Sequence, residues 1–299
     1  MRRHLKLCLW AFVLALVMPM LVLAMTFQFT SVDIPGASIT GVNGINEHRT
    51  IVGTYHNLQG VEHGYVQTAS GVTTLIDVPA AFQTESIGIN RRGDIVGLFD
   101  PTQGVTDIGS GFLLRDGEYT TINFPGAKST DCLGINNDGV IVGGYRNVDG
   151  VAHAFVLEEG EFTSIDFPGA LNTDGNAIND DGDVVGAYTD SNGNTHGYLL
   201  SEGEFTTIDF PGAASTEALG INEDGVVAGG YTDSTANDHG FLRRRNGKFV
   251  SIDVDFSGSS GTAITGINER GDIVGAYDDV NIREHGFVGK GRERDRERD

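Results

Sequence analysis

The sequence predicts an all-β protein, a six-bladed β-propeller of four-stranded blades, and three observations predict it. One triplet recurs through the 299 residues at a period in the forties. Each period holds four short strand-like runs broken by turns. The last period lacks one run, and the N-terminal end carries a spare copy of it.

Residues 204–242 show the unit. A β-branched and aromatic run at 204–210 stops at Pro211-Gly212-Ala213, and a second at 216–221 closes on Asn222-Glu223-Asp224-Gly225. Runs at 226–231 and 239–242 complete it. The Asx and Gly clusters between runs make turns through side-chain-to-backbone hydrogen bonds and positive φ. Anchored on Gly-Ile-Asn, the copies fall at Asn46, Asn90, Asn136, Asn179, Asn222 and Asn268, in steps of 44, 46, 43, 43 and 46. Four strands in a repeat of that size mark propeller blades. No segment between the repeats sustains a helical apolar period.

The chain ends define the closure. The last unit stops after His285-Gly286-Phe287 with no outer strand, while residues 27–37, FQFTSVDIPGA, precede the first triplet and have no blade of their own. An N-terminal strand completing the last blade closes the ring and removes two open sheet edges. An open solenoid is the alternative. The split last unit and the lack of atypical capping repeats argue against it.

Outside the repeats, residues 1–24 read as a signal peptide. Arg2, Arg3 and Lys6 precede an apolar run over 7–23, and Val22-Leu23-Ala24 offers a cleavage site. An uncleaved anchor is the rival reading, with a run at the short end of the roughly 17–25 residues a span requires. The expected product is secreted to the extracellular space or the periplasm and leaves the membrane once the signal is removed. Residues 25–289 form the propeller, and 290–299, with no apolar side chain, a disordered charged tail. Cys8 leaves with the signal, so Cys132 has no disulfide partner. Cys132 occupies a repeated small-apolar position, with Ser86, Asn176, Ala218 and Ile264 read as counterparts. The formal charge of −21 becomes −24 once three cations leave with the signal. That excludes nucleic acid and favours cations or neutral ligands. A monomer is expected.

The pattern G-I-N-x-x-G-x-[VI]-V-G, a short loop, then His-[Gly/Ala]-[Phe/Tyr] resembles the extracellular HAF repeat of secreted bacterial proteins. His153-Ala154-Phe155 carries the motif literally, with His63, His196, His239 and His285 in other copies and Ser110 in the second. The resemblance covers residues 27–289. It implies export and a propeller-like fold, and it brings no single activity with it.

Five histidines, His63, His153, His196, His239 and His285, invite a metal reading. Zinc needs three or four ligands converging within about 2.1 Å, and equivalent strand positions lie apart around a ring. A structural role within each blade is the better reading. The expected partner is the Asp ending the outer strand (Asp33, Asp77, Asp166, Asp209 or Asp253) or the Asn of the triplet. Residues 179–183, Asn-Asp-Asp-Gly-Asp, resemble part of a calcium loop but lack the acidic twelfth position and flanking helices, so turn chemistry explains them.

One repeated position carries a ligand hypothesis. Thr84, Thr130, Thr173 and Thr216 are each followed by an acid, Glu85, Asp131, Asp174 and Glu217, at the start of the inner strand. Four carboxylates around one channel mouth would attract a hard cation such as Ca²⁺ or a hydroxyl-rich ligand. Solvated charges at strand starts are the plainer reading. Symmetry breaks at the longer loop 100–110, at His48-Arg49 with His56, at Arg91-Arg92 and at Arg243-Arg244-Arg245. Tyr55, Phe99, Tyr145, Tyr188, Tyr231 and Tyr277 should edge the same loop face, where they suit sugar stacking or blade packing.

The functional expectation is a secreted, non-enzymatic binding module for a glycan, a cation or a partner protein. The alternative is an extracellular polysaccharide hydrolase or lyase using the mouth carboxylates, which requires two acids in different environments. No distinct catalytic set stands out. A purely structural surface protein is the third reading.

Overall fold

The computed structural model describes residues 26–103 and 109–291, over which twenty-four strands form six four-stranded antiparallel sheets. Residues 1–24, expected as a signal peptide, and residues 292–299 of the charged tail lie outside the described residues. The inner strands are Ile39–Ile45, Gln83–Ile89, Ser129–Ile135, Asn172–Ile178, Ser215–Ile221 and Gly261–Ile267. Each touches the next around the axis, the last against the first. This is a closed six-bladed propeller.

Closure is non-covalent. Phe27–Val32 pairs antiparallel with Glu284–Gly291, from Phe27 opposite Gly291 to Val32 opposite Gly286. The N-terminal strand therefore forms the outer strand of blade six, and Phe29 meets Phe287 edge-on at 5.6 Å. The strand also runs two residues past 289, because Phe27 and Gln28 give Gly291 and Lys290 backbone partners.

Each inner strand contains one extra residue. The register shifts between Ser86 and Gly88, between Cys132 and Gly134, and at the same place in the other blades. A bulge of this kind bends the strand, and it brings the triplet glycine against the neighbouring blade. A Cβ on Gly134 would lie 2.8 Å from the Ala177 Cα. The bulge residues Asn43, Ile87, Leu133, Asn176, Leu219 and Thr265 line the axial channel, a cavity of about 300 Å³. Asn176 is thus a channel residue, and the blade-four counterpart of Cys132 is Gly175, opposite Gly186 as Cys132 is opposite Gly143.

Between blades lie the aromatic residues of the His-x-aromatic triplets. Tyr65, Phe112, Phe155, Tyr198, Phe241 and Phe287 are all fully buried. Burying each such ring contributes on the order of 2–3 kcal/mol. Cys132 belongs to this layer, and burial pushes its thiol well above the usual range, so it behaves as a small apolar side chain.

The triplet asparagines hold the axis. Each donates its side-chain amide to the backbone carbonyl of the next one: Asn46 to Asn90, Asn90 to Asn136, Asn136 to Asn179 at 3.1 Å each. Asn179 then donates to Asn222 at 3.4 Å, Asn222 to Asn268 at 3.3 Å and Asn268 to Asn46 at 3.1 Å. The same side chain accepts from its own turn, as Asn136 Oδ1 does from the N–H groups of Asp138 and Val140. The Asn-x-x-Gly signature is therefore both an Asx turn and a link in a closed ring of six.

Candidate functional site

The histidines sit inside their blades. His63, His153, His196 and His239 bond through Nδ1 to Asp77, Asp166, Asp209 and Asp253 at 2.9–3.1 Å. His285 reaches Asp33 on the N-terminal strand at 2.6 Å. The outer-strand Asp, and not the triplet Asn, is the partner. Each Nε2 faces the loop between second and third strands, Asn57 and Asn147 at 3.1 Å in blades one and three, Asp190 and Asp233 at 3.6 and 3.5 Å in blades four and five. A tyrosine stacks on each ring, Tyr231 on His239 at 4.9 Å for example. Tyr145, Tyr188 and Tyr231 are covered on the other face by Phe124, Phe167 and Phe210 at 3.6–3.7 Å. Sandwiched rings present edges rather than faces to a ligand.

Thr84, Thr130, Thr173 and Thr216 are turned into the fold and engaged by the backbone. Each is 1% exposed and accepts a hydrogen bond from the backbone N–H of Val78, Phe124, Phe167 or Phe210, at 2.9–3.1 Å. They tie the crossing segment of one blade to the inner strand of the next. Strand alternation decides this: a Thr turned inward leaves its acidic neighbour turned outward.

Two of those acids lie at different junctions. Asp174 lies against Gly144 of blade three, and Asp131 against Gly109 of blade two. Where the inner strand has Gly41 or Ala263, the facing third strand supplies the acid instead. Glu284 Oε1 lies 3.2 Å from where a Gly41 Cβ would be, and Asp238 stands on the strand facing Ala263. The junction of blades one and two has two acids, Glu85 and Glu62, hydrogen-bonded to each other. Among the described residues, no three His, Cys, Asp or Glu side chains converge as metal ligands. Glu85, Asp131, Asp174 and Glu217 are therefore not gathered into one chelate site.

Their ionisation is shifted upward. Loss of hydration, then the charge and hydrogen bond of Glu62, push Glu85 to about 8. Loss of hydration and the charge of Asp174 push Asp131 to about 6, partly offset by Arg146. Asp174 and Glu217 are raised chiefly by the same desolvation.

Several of the symmetry-breaking cations are paired with carboxylates. Arg49 reaches the buried Asp272 at 2.7 Å, and Arg92 and Arg115 both reach Asp94 at 3.2 and 3.0 Å. His56 pairs with Glu62 at 3.0 Å. Of the long loop in blade two, the Gly109 carbonyl accepts from the Thr130 N–H at 3.1 Å, and residues 104–108 lie outside the described residues.

An opening lies on the face opposite the Asn-x-x-Gly turns, at the junction of blades five and six. It is a cleft of about 330 Å³, bordered by Glu217, Tyr231, Asp238, Ala263, Tyr277 and Glu284. Composition alone could not locate it, although Ala263 in place of an acid was its signal. The cleft offers carboxylates, hydroxyls and aromatic edges in one place, suited to hydrogen-bonding a polar ligand.

No model of a known protein family matches the chain, and no curated protein matches it. Solved structures do. TolB from Acinetobacter baumannii superposes with a TM-score of 0.57 at 14% identity, over 87% of this chain and 66% of that one, so this chain spans just under two thirds of it. SapL1 lectin in complex with alpha methyl fucoside gives 0.54 at 11% identity, over 85% and 96%. A fungal lectin from Aleuria aurantia, described as a six-bladed β-propeller with a novel fucose recognition mode, gives 0.53 at 12%, over 87% and 93%. The likeness is one of fold. It agrees with the blade count and the ring closure.

Proposed function

We propose that the protein is an exported, non-enzymatic carbohydrate-binding propeller of the HAF-repeat kind, taking glycan on the face formed by the second-to-third loops and the Pro-Gly-Ala crossings. The observation that carries the reading is the blade five–six cleft on that face, where carboxylates and tyrosine edges border a space of ligand size. The lectins of the same architecture, one of them seen with alpha methyl fucoside, support it. Export rests on residues 1–24 and the HAF-like repeat. A glycan array probed with the mature chain tests the reading: retention of a restricted set of neutral or amine-bearing glycans supports it, and an array blank at millimolar avidity overturns it.

A second reading, glycan hydrolysis, has one observation in its favour. Glu85 borders the axial channel and, pushed to about 8, holds a proton at neutral pH as a general acid must. Release of reducing ends from a bound glycan, lost in Glu85→Gln, would establish it.

A further inference from the structure

The blade five–six cleft exists because blade six departs from the repeat. At the equivalent place between blades three and four, the Asp174 carboxylate lies 2.9 Å from where a Gly144 Cβ would be and fills the space. Gly230 is the blade-five counterpart of Gly144, and the nearest side chain across the junction is the Ala263 methyl at 3.8 Å. Gly261 and Ala276 widen the same opening. A volume of about 330 Å³ stands at the small end of the roughly 300–1,000 Å³ of ligand pockets, enough for one sugar ring rather than a chain of them.

The charge of the lining narrows the ligand. Glu217, Asp238, Asp278 and Glu284 border the cleft, and no Lys or Arg does. Asp278 stands directly opposite Glu284 across the antiparallel pair, where blade one has the His56–Glu62 ion pair instead. Like charges directly opposed are destabilising. Across the ring closure the His56 ring faces Glu284, and it is already engaged by Glu62 at 3.0 Å. Glu217 and Glu284 are both raised by lost hydration and by acidic neighbours. His239 also borders the cleft, but its ring is held by Asp253 and Asp233 at 2.9 and 3.5 Å, so uronic, sialylated and sulfated sugars would meet net repulsion from the four acids. With no three of the lining acids disposed as metal ligands, a sugar ring that carries its own cation fits better than a bare ion.

We propose that this cleft is a single-ring subsite for a sugar bearing a free amino group, the ammonium taken by Asp278 and Asp238, which both approach Gly261, and the ring hydroxyls by Glu217 and the tyrosine edges, with Glu284 at the rim. The proposal rests on the glycan-binding reading above. It makes the protein monovalent at this subsite, one place in six.

Calorimetric titration of the full chain at pH 6.5 and low salt tests it, with D-glucosamine, D-glucose, N-acetyl-D-glucosamine, D-glucuronate and calcium chloride as probes. One glucosamine per chain is expected, bound at least tenfold more tightly than glucose or the N-acetyl sugar, with no glucuronate binding. Ala263→Asn, which places an uncharged side chain of the size Asp174 has in blade four, should abolish binding. Ala276→Leu closes the cavity independently should the first variant fold poorly. Glucosamine no tighter than glucose, calcium saturating the same heat, or binding unchanged in a folded Ala263→Asn or Ala276→Leu protein would each overturn the proposal. Array glycans retained equally by wild type and the folded variants would sink the cleft but leave glycan binding standing. A blank array would sink both.

Discussion

Asn268 of blade six donates its side-chain amide to the carbonyl of Asn46 in blade one, 3.1 Å away, across 222 residues of sequence. With that bond the ring of six asparagines returns to its start. The outer edge closes at the same seam, through His285 on Asp33. Between axis and rim the same seam is also bonded by Thr265 Oγ1 donating to the Val42 carbonyl at 2.7 Å and by Arg49 on Asp272 at 2.7 Å.

The axial fastening gives the first expected outcome. Asn136→Ala removes one ring bond at 3.1 Å and leaves two turn N–H groups without their acceptor. Loss of buried hydrogen bonds of this kind costs about 2–4 kcal/mol in total. Urea denaturation should show a lower midpoint at unchanged m-value, and Asn136→Asp, which keeps the acceptor but not the donor, should fall between.

The rim gives the second. Removing residues up to Val32 strips blade six of its outer strand and exposes the edge of Glu284–Gly291. Exposed edges pair with other chains. The shortened protein should elute from size exclusion as dimers or larger species and melt well below the intact chain. His285→Ala alone should stay monomeric and lose only about 1–2 kcal/mol.

Ionisation sets a third. A carboxyl raised in the folded state favours folding below its unfolded value and loses that contribution as pH rises through the folded value, so Glu85 loses its share between about 4.5 and about 8 and Asp131 between about 3.8 and about 6. His196 and His239 are also raised: burial opposes the shift, but Asp209 with Asp190 and Asp253 with Asp233 outweigh it. Their contribution is present below 6.5 and fades above it. Asp94, Asp190, Asp233 and Asp279 are lowered, desolvation of Asp94 being outweighed by Arg115 and Asn90, and the loop carboxylates being held by backbone N–H groups. Those contributions fail as pH falls below about 3.8. Melting should therefore be highest near pH 5, and Glu85→Gln should raise the midpoint at pH 8 by several degrees, at roughly 2–4 °C per kcal/mol, while changing little at pH 5.

Calcium is a fourth. Because no three of Glu85, Asp131, Asp174 and Glu217 converge as ligands, millimolar CaCl₂ should shift the melting midpoint no more than NaCl of equal ionic strength. A specific rise abolished by Asp131→Ala with Asp174→Ala would restore a shared cation site, since ligands of the native state must raise its midpoint.

The fold was legible because each repeated residue type has a backbone duty: Asn for the turn and the ring, Gly where inner strands approach, Asp for the His. Repetition six times over made those duties visible without any alignment. The spare N-terminal strand identified the closure for the same reason. The site was less legible. Thr84 and its counterparts looked like ligand groups since Thr is polar, yet alternation turned them inward. The cleft depends on an absence, Ala263 where Asp174 fills the space in blade four, and which blade's acid occupies a junction only becomes visible once strands of neighbouring blades are set side by side.

Hydrogen exchange of the full chain, with and without a glycan retained on the array, tests the central claim most directly. Added protection confined to the second-to-third loops and the Pro-Gly-Ala crossings, strongest around residues 231–239 and 276–284, is the expected result. Protection on the Asn-x-x-Gly turns instead, or protection spread evenly over all six blades, would contradict a glycan face on the loop side.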